Sequence, residues 1–217
     1  MQALSITAFR DLAQTDAIVL DTRATEQVLS GTIKGAVVVP FSENFIADLQ
    51  SAVSPQTLIV IADESNRTAV LKQLKNSGTF EVSGYLDATF QDWQNGGFET
   101  DFIIAIEPDE FAMDYQYDEF VLADLRTKEE YDQEHIEDAV NISLADLETL
   151  LAELDEEETY YLYADTADAA LTAGSLFKQA EFERVRVVLA SFEDIKKQNI
   201  PLFTQKKKDN KSGFSTN

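Results

Sequence analysis

The chain has 217 residues, 44% of them hydrophobic, which suits two compact units of about 100 residues with a core apiece. The absence of cysteine excludes disulfides, thiolate metal sites, iron–sulfur ligation and every thiol nucleophile. Forty acidic residues against 17 basic, a formal charge of -23, repel phosphate backbones and anionic lipid, so neither nucleic acid nor a membrane is an expected partner; with no long apolar run and no basic-then-apolar opening, the expectation is a cytoplasmic protein.

Ser5 precedes Phe9 and Leu12 at helical spacing and is the expected cap of a first helix, after which Ala17 to Leu20 reads as a short buried strand. Ala36 to Val39 reads as a second strand, Glu43 to Ala52 as a helix, Thr57 to Ala62 as a central strand and Arg67 to Ser77 as another helix. Trp93 falls on a further helix after Ala88 and Thr89, where it belongs to a core rather than to a stacking platform. Paired glycines at Gly96 and Gly97 close this stretch, and Phe102 to Ile106 is expected as an extended connector. The series then starts again: a helix signal at Pro108 to Ala112, strands at Phe120 to Ala123 and Ala139 to Ile142, a helix at Leu144 to Leu154, a central strand at Thr159 to Ala164 and a helix at Ala167 to Gln179. Lys206, Lys207, Lys208 and Lys211 stand in a polar stretch without periodicity, read as a disordered basic tail over 205–217.

The recurrence extends to residues. Ile18 to Arg23, followed by Gly31 to Val37, returns as Val121 to Arg126, followed by Glu134 to Val140, at an offset of 103. Ile61 to Arg67 returns as Tyr163 to Ala169, and Ala88 to Asp92 as Ala190 to Asp194, at an offset of 102. Two tandem copies, 1–100 and 101–204, follow from this repeat. Short buried strands alternating with helices make each an α/β domain, a mainly parallel central sheet with helices on both faces, and the copies are expected to pack face to face.

Ligands of open parallel sheets bind beyond the carboxyl ends of the strands. That places one candidate loop at Ala62, Asp63, Glu64, Ser65, Asn66 and Arg67 and the other at Ala164, Asp165, Thr166, Ala167, Asp168 and Ala169. Asp21 with Arg23, and Asp124 with Arg126, are expected to anchor the cleft edges as salt bridges, the alternative being contact with a ligand in the cleft.

Asp-x-Arg after the first strand, Gly31-Thr-Ile-Lys-Gly-Ala36 before the second, a loop ending in Asn66-Arg67-Thr68 and the run Leu86 to Trp93 together resemble the rhodanese-like sulfurtransferase family, met twice between about Leu4 and Phe203. The resemblance implies a loop that opens with a persulfide-carrying cysteine and closes five residues later with an arginine. Ala62 and Ala164 occupy the cysteine positions; Arg67 keeps the arginine position and Ala169 does not, while Ala170 stands where a serine or threonine is usual. A methyl group cannot ionise or hold a persulfide, so the chain is expected to be a pseudo-sulfurtransferase with no catalytic residue, cofactor or metal, acting by binding an unidentified protein partner. Asp63, Glu64, Asp165 and Asp168 make the loops hostile to anions, since a carboxylate about 4 Å from a bound anion costs about 1 kcal/mol even in bulk water.

The order of motifs, with Ile103 to Pro108 as a bridge and His135 to Asn141 after it, is also similar to the C-terminal half of bacterial metallo-β-lactamase-fold proteins fused to tandem rhodanese domains. That implies an accessory role linked to sulfur metabolism or an upstream metallo-hydrolase domain, the chain being either a stand-alone relative or the C-terminal part of a larger protein. The alternative is an enzyme using the loop carboxylates in place of cysteine. His135, the only histidine, is expected to make a structural hydrogen bond. Ser65 is expected to cap a helix, and both it and Thr68 lack a base that would activate them.

Overall fold

The structure, a computed structural model, describes residues 1–205. The expected basic tail lies outside the described residues except for Gln205, whose amide donates to the Gln133 carbonyl. In chain order the first copy runs β1 (Gln2–Leu4), α1 (Ile6–Ala13), β2 (Ile18–Asp21), α2 (Thr25–Val28), β3 (Thr32–Ile33), β4 (Val37–Val38), α3 (Phe45–Ala52), β5 (Thr57–Ile61), α4 (Glu64–Ser77), β6 (Glu81–Leu86), α5 (Phe90–Asn95) and β7 (Thr100–Asp101). The second runs β8 (Ile104–Ile106), α6 (Pro108–Tyr117), β9 (Val121–Asp124), α7 (Lys128–Gln133), β10 (Glu134–Ile136), β11 (Val140–Asn141), α8 (Leu144–Leu150) with a 3-10 turn at Leu151–Glu153, β12 (Tyr160–Ala164), α9 (Ala167–Gln179), β13 (Val185–Ser191), α10 (Phe192–Ile195) and β14 (Leu202–Thr204).

The strands form two five-stranded parallel sheets, ordered β1-β6-β5-β2-β4 and β8-β13-β12-β9-β11. Position for position these are the same order, so the repeat in sequence is a repeat in topology. Two antiparallel ribbons, β3 with β7 and β10 with β14, stand beside them.

The central strands are apolar throughout because both faces are covered. Along β5, Leu58 and Val60 face a core that also holds Phe45, Leu49, Val70 and Leu74 of α3 and α4, whereas Ile59 and Ile61 face Phe9 of α1 and Trp93 of α5. Along β12, Tyr160 and Leu162 share a core with Leu147, Leu171 and Phe177 of α8 and α9, while Tyr161 and Tyr163 meet Phe111 of α6 and Ile195 of α10. The fold is therefore α/β with helices on both faces of each sheet.

The two cores on the inner side are one: a single cluster of buried residues includes Val38 and Phe45 of the first copy and Leu147 and Phe177 of the second. Helices α3, α8 and α9 fill the space between the sheets. Every residue of α9 from Ala170 to Phe177 is buried, and its small side chains let it approach closely: a Cβ at Gly174 would lie 2.5 Å from Val187 Cγ2. At the edge of the first sheet the Val38 amide donates to Ser175 Oγ of α9 at 2.9 Å, so a helix of one copy satisfies a strand edge of the other.

Several boundaries differ from the sequence reading. The helix expected from Arg67 begins at Glu64, so Ser65 is an exposed residue of its first turn and Asp63 is the residue before it; the expected serine cap is not formed. Pro108 to Ala112 extends to Tyr117, carried by Phe111 and Tyr115 packing on Phe120 and Tyr161. The expected connector Phe102 to Ile106 contains β8, an edge strand hydrogen-bonded to Arg186–Val188. Strands β6 and β13 escape the apolar-run criterion, since Glu81, Gly84 and Arg186 interrupt them; Arg186 is answered by Asp114 of α6 at 3.0 Å. Among the described residues no helix is long and apolar enough to cross a membrane.

Candidate functional site

Beyond the carboxyl ends of the parallel strands each sheet opens into a cleft, and each cleft is anchored by a buried ion pair. Asp21, the last residue of β2 and inaccessible to solvent, accepts hydrogen bonds from the backbone amide, Nε and Nη2 of Arg23 (3.1, 2.9 and 2.5 Å) and from Thr32 Oγ1 at 2.8 Å. Arg23 also donates to the Gly31 carbonyl and lies over the Phe90 ring, 4.1 Å from its centroid. Gly31 holds φ at +125°, a conformation that a side chain would strain.

The second copy repeats the device. Asp124 accepts from the amide, Nε and Nη2 of Arg126 (3.0, 3.0 and 2.6 Å), and the Tyr163 hydroxyl, at 2.6 Å, replaces the threonine. Burial first and the Asp124 carboxylate second hold the Tyr163 phenol well above its ordinary pKa, which keeps it a donor. Arg126 lies over Phe192 and donates to the Glu134 carbonyl.

At the strand tips stand Ala62 and Ala164, 8% and 3% exposed, both counted with the apolar core between the sheets. The expected six-residue loops are not open loops. Only Ala62 and Asp63 separate β5 from α4, and the Asp63 carbonyl accepts from the amides of Asn66 (3.0 Å) and Arg67 (2.8 Å). Only Asp165 and Thr166 separate β12 from α9; Thr166 caps that helix through Oγ1, which accepts from the Ala169 amide at 3.1 Å, and its carbonyl accepts from Ala170. The amides of Asn66, Arg67, Ala169 and Ala170 are thus engaged in starting the two helices.

The first cleft, about 610 Å³, is lined by Arg23, Ala62, Asp63, Glu64, Arg67 and Asp87 among others. Arg67 lies over Tyr85 and 3.6 Å from Asp87, with its Nε buried and unpaired. The second cleft, about 560 Å³, brings Arg126, Glu130, Ala164, Asp165 and Ala169 together with Asp48 from α3 of the first copy. Here two carboxyl groups meet. Partial burial, and then the facing Glu130, raise Asp165 to about 6, whereas Glu130 is held low chiefly by the Thr127 hydroxyl that it accepts from at the start of α7. Burial also raises Asp48.

Asp168 does not line this cleft: it accepts from Thr25 Oγ1 at 2.6 Å and ties α9 to the first copy. His135 packs between Tyr131 and Phe203, its Nδ1 2.6 Å from the Tyr131 carbonyl. Trp93 is core, with Nε1 donating to the Glu99 carbonyl. Glu130 and Asp48 were not legible as site residues, although Thr127-x-x-Glu130 is a visible capping pattern.

Residues 107–198 match the family model for a rhodanese-like domain. Among solved structures the chain is similar to the Alr3790 protein from Anabaena sp., at 19% identity over 46% of this chain and 91% of that one, with a TM-score of 0.42. A full-length protein from Lactobacillus plantarum matches at 25% identity over 47% of this chain and 88% of that one, TM-score 0.42, and the BH2092 protein from Bacillus halodurans at 20% over 53% and 83%, TM-score 0.42. Comparison with curated proteins gives no match.

Proposed function

We propose that this chain is a catalytically inactive tandem rhodanese-like protein that works by binding, as a regulatory, scaffolding or accessory module with a protein partner. The observation that carries this reading is the pair of buried methyl groups, Ala62 and Ala164, at the ends of the central strands of a chain without cysteine. Sulfur transfer of the family's kind needs a thiolate that can be persulfidated, and no side chain here supplies one. The carboxylates of Asp63, Glu64 and Asp165 in the cleft walls support the same reading, because they oppose binding of thiosulfate or persulfide anions. A link to sulfur metabolism or to a metallo-hydrolase rests on resemblance and is tested by co-expression with such hydrolases from the same genome.

The direct test is thiocyanate formation from thiosulfate and cyanide. The purified chain is expected to give none, and Ala62→Cys and Ala164→Cys are expected to gain a titratable thiol without gaining turnover. Turnover by the unaltered chain overturns the reading; turnover by a cysteine variant would show that the loops are competent and that sulfur alone is missing.

A second reading, acid–base chemistry by carboxyls, is favoured by one observation: Asp165, raised to about 6 beside Glu130, has a proton to give near neutrality. It requires an activity on chromogenic esters or glycosides that rises and falls around that pH and disappears in Asp165→Asn.

A further inference from the structure

At the opposite end of the sheets from both clefts lies a groove of about 630 Å³ between the copies, lined by apolar and acidic side chains. Ile18, the first residue of β2, and Val53, just past α3, form one wall; Leu151, Leu154 and Phe182, from the segments that lead into β12 and β13, form the other. Ile18, Leu151 and Leu154 are only half-buried, although each packs against the shared core. The groove therefore presents unfinished apolar surface against the shared core.

Its rim has one sign of charge. Glu148, Asp155 and Glu156 line it, and no lysine or arginine does. Arg184 and Lys178, from the segments around it, are engaged elsewhere, Arg184 with Glu157 and Lys178 with Asp101 and Glu183. A second copy of this chain is a poor occupant, since it would bring another acidic rim and a like charge of -23. We infer that the groove between the copies docks a basic amphipathic segment of another protein, apolar side chains seated on Ile18, Leu151 and Leu154 and lysine or arginine flanking them against Glu148, Asp155 and Glu156. This goes beyond the reading of the clefts and stands whether or not they react. Rim charges of this kind steer association and make it salt-dependent, while the apolar floor supplies the anchor.

The test is fluorescence anisotropy of a labelled synthetic peptide with leucine on one helical face and lysine on the other, titrated with the full chain. Saturable binding that weakens with salt is expected. The double variant Ala152→Arg/Glu156→Lys, altered only at exposed groove residues and checked for folding by circular dichroism, is expected to bind at least about tenfold more weakly, and Asp11→Lys, exposed on α1 outside the groove lining, unchanged. A peptide of the same composition with its faces scrambled is also expected to bind at least about tenfold more weakly. Equal binding of the scrambled peptide, undiminished binding by the groove variant, or self-association of the unaltered chain that the variant abolishes would each overturn the inference. Failure here leaves the thiocyanate assay untouched, so the two readings fail separately.

Discussion

A carboxylate with no access to water persists only where its charge is answered, and Asp21 and Asp124 are each answered by four donors. Removing the arginine strands the carboxylate, so Arg23→Met or Arg126→Met is expected to lower stability by about 3–5 kcal/mol, read from urea midpoints. The double change Asp21→Asn/Arg23→Met should cost less than Arg23→Met alone; an equal cost would mean that the guanidinium acts through packing on Phe90. Asp165 poses the opposite problem. Its folded pKa, about 6, stands above its unfolded value near 4, so ionisation is less favourable in the folded state and stability is lost as pH rises through that window. Asp165→Asn is therefore expected to melt higher than the unaltered chain at pH 7, with the gap closing toward pH 4. A gap that does not vary with pH would show that the carboxyl pair is not coupled to folding.

Among elements, α9 and its counterpart α4 show how far a repeat can diverge. Only Val70 and Leu74 of α4 are buried, whereas α9 is enclosed from Ala170 to Phe177. Ser175→Ala is expected to cost about 1–3 kcal/mol, because the Val38 amide loses its partner in a place that water does not reach, and loss of protection of that amide from hydrogen exchange would report it directly. The strands β2, β5, β9 and β12 were legible in sequence because burial on both faces writes an unbroken apolar run. Strands β6 and β13 were not, since Glu81 and Gly84 break the run in the first and Arg186 in the second, where its charge is answered only in three dimensions, by Asp114. The same holds for the clefts. Asp21-x-Arg23 and Asp124-x-Arg126 are local and could be read, but the meeting of Asp165 with Glu130, and of both with Asp48 across the copies, depends on chain crossings that no local pattern records.

For the whole molecule, one core running through both copies predicts one unfolding event. Trp93, the only tryptophan, reports the first copy, and far-ultraviolet circular dichroism reports both. The two signals are expected to change together in denaturant; separate midpoints would mean that the copies melt independently.

Because α9 finishes the edge of its neighbour's sheet, the two repeats have ceased to be interchangeable parts. A recombinant built from two first repeats would leave Val38 facing a largely hydrophilic helix, and one built from two second repeats would strand a greasy helix in water. Substitution is constrained accordingly: most of α4 faces outward, while the enclosed positions of α9, Ala170 to Phe177, sit in the core that the two copies share.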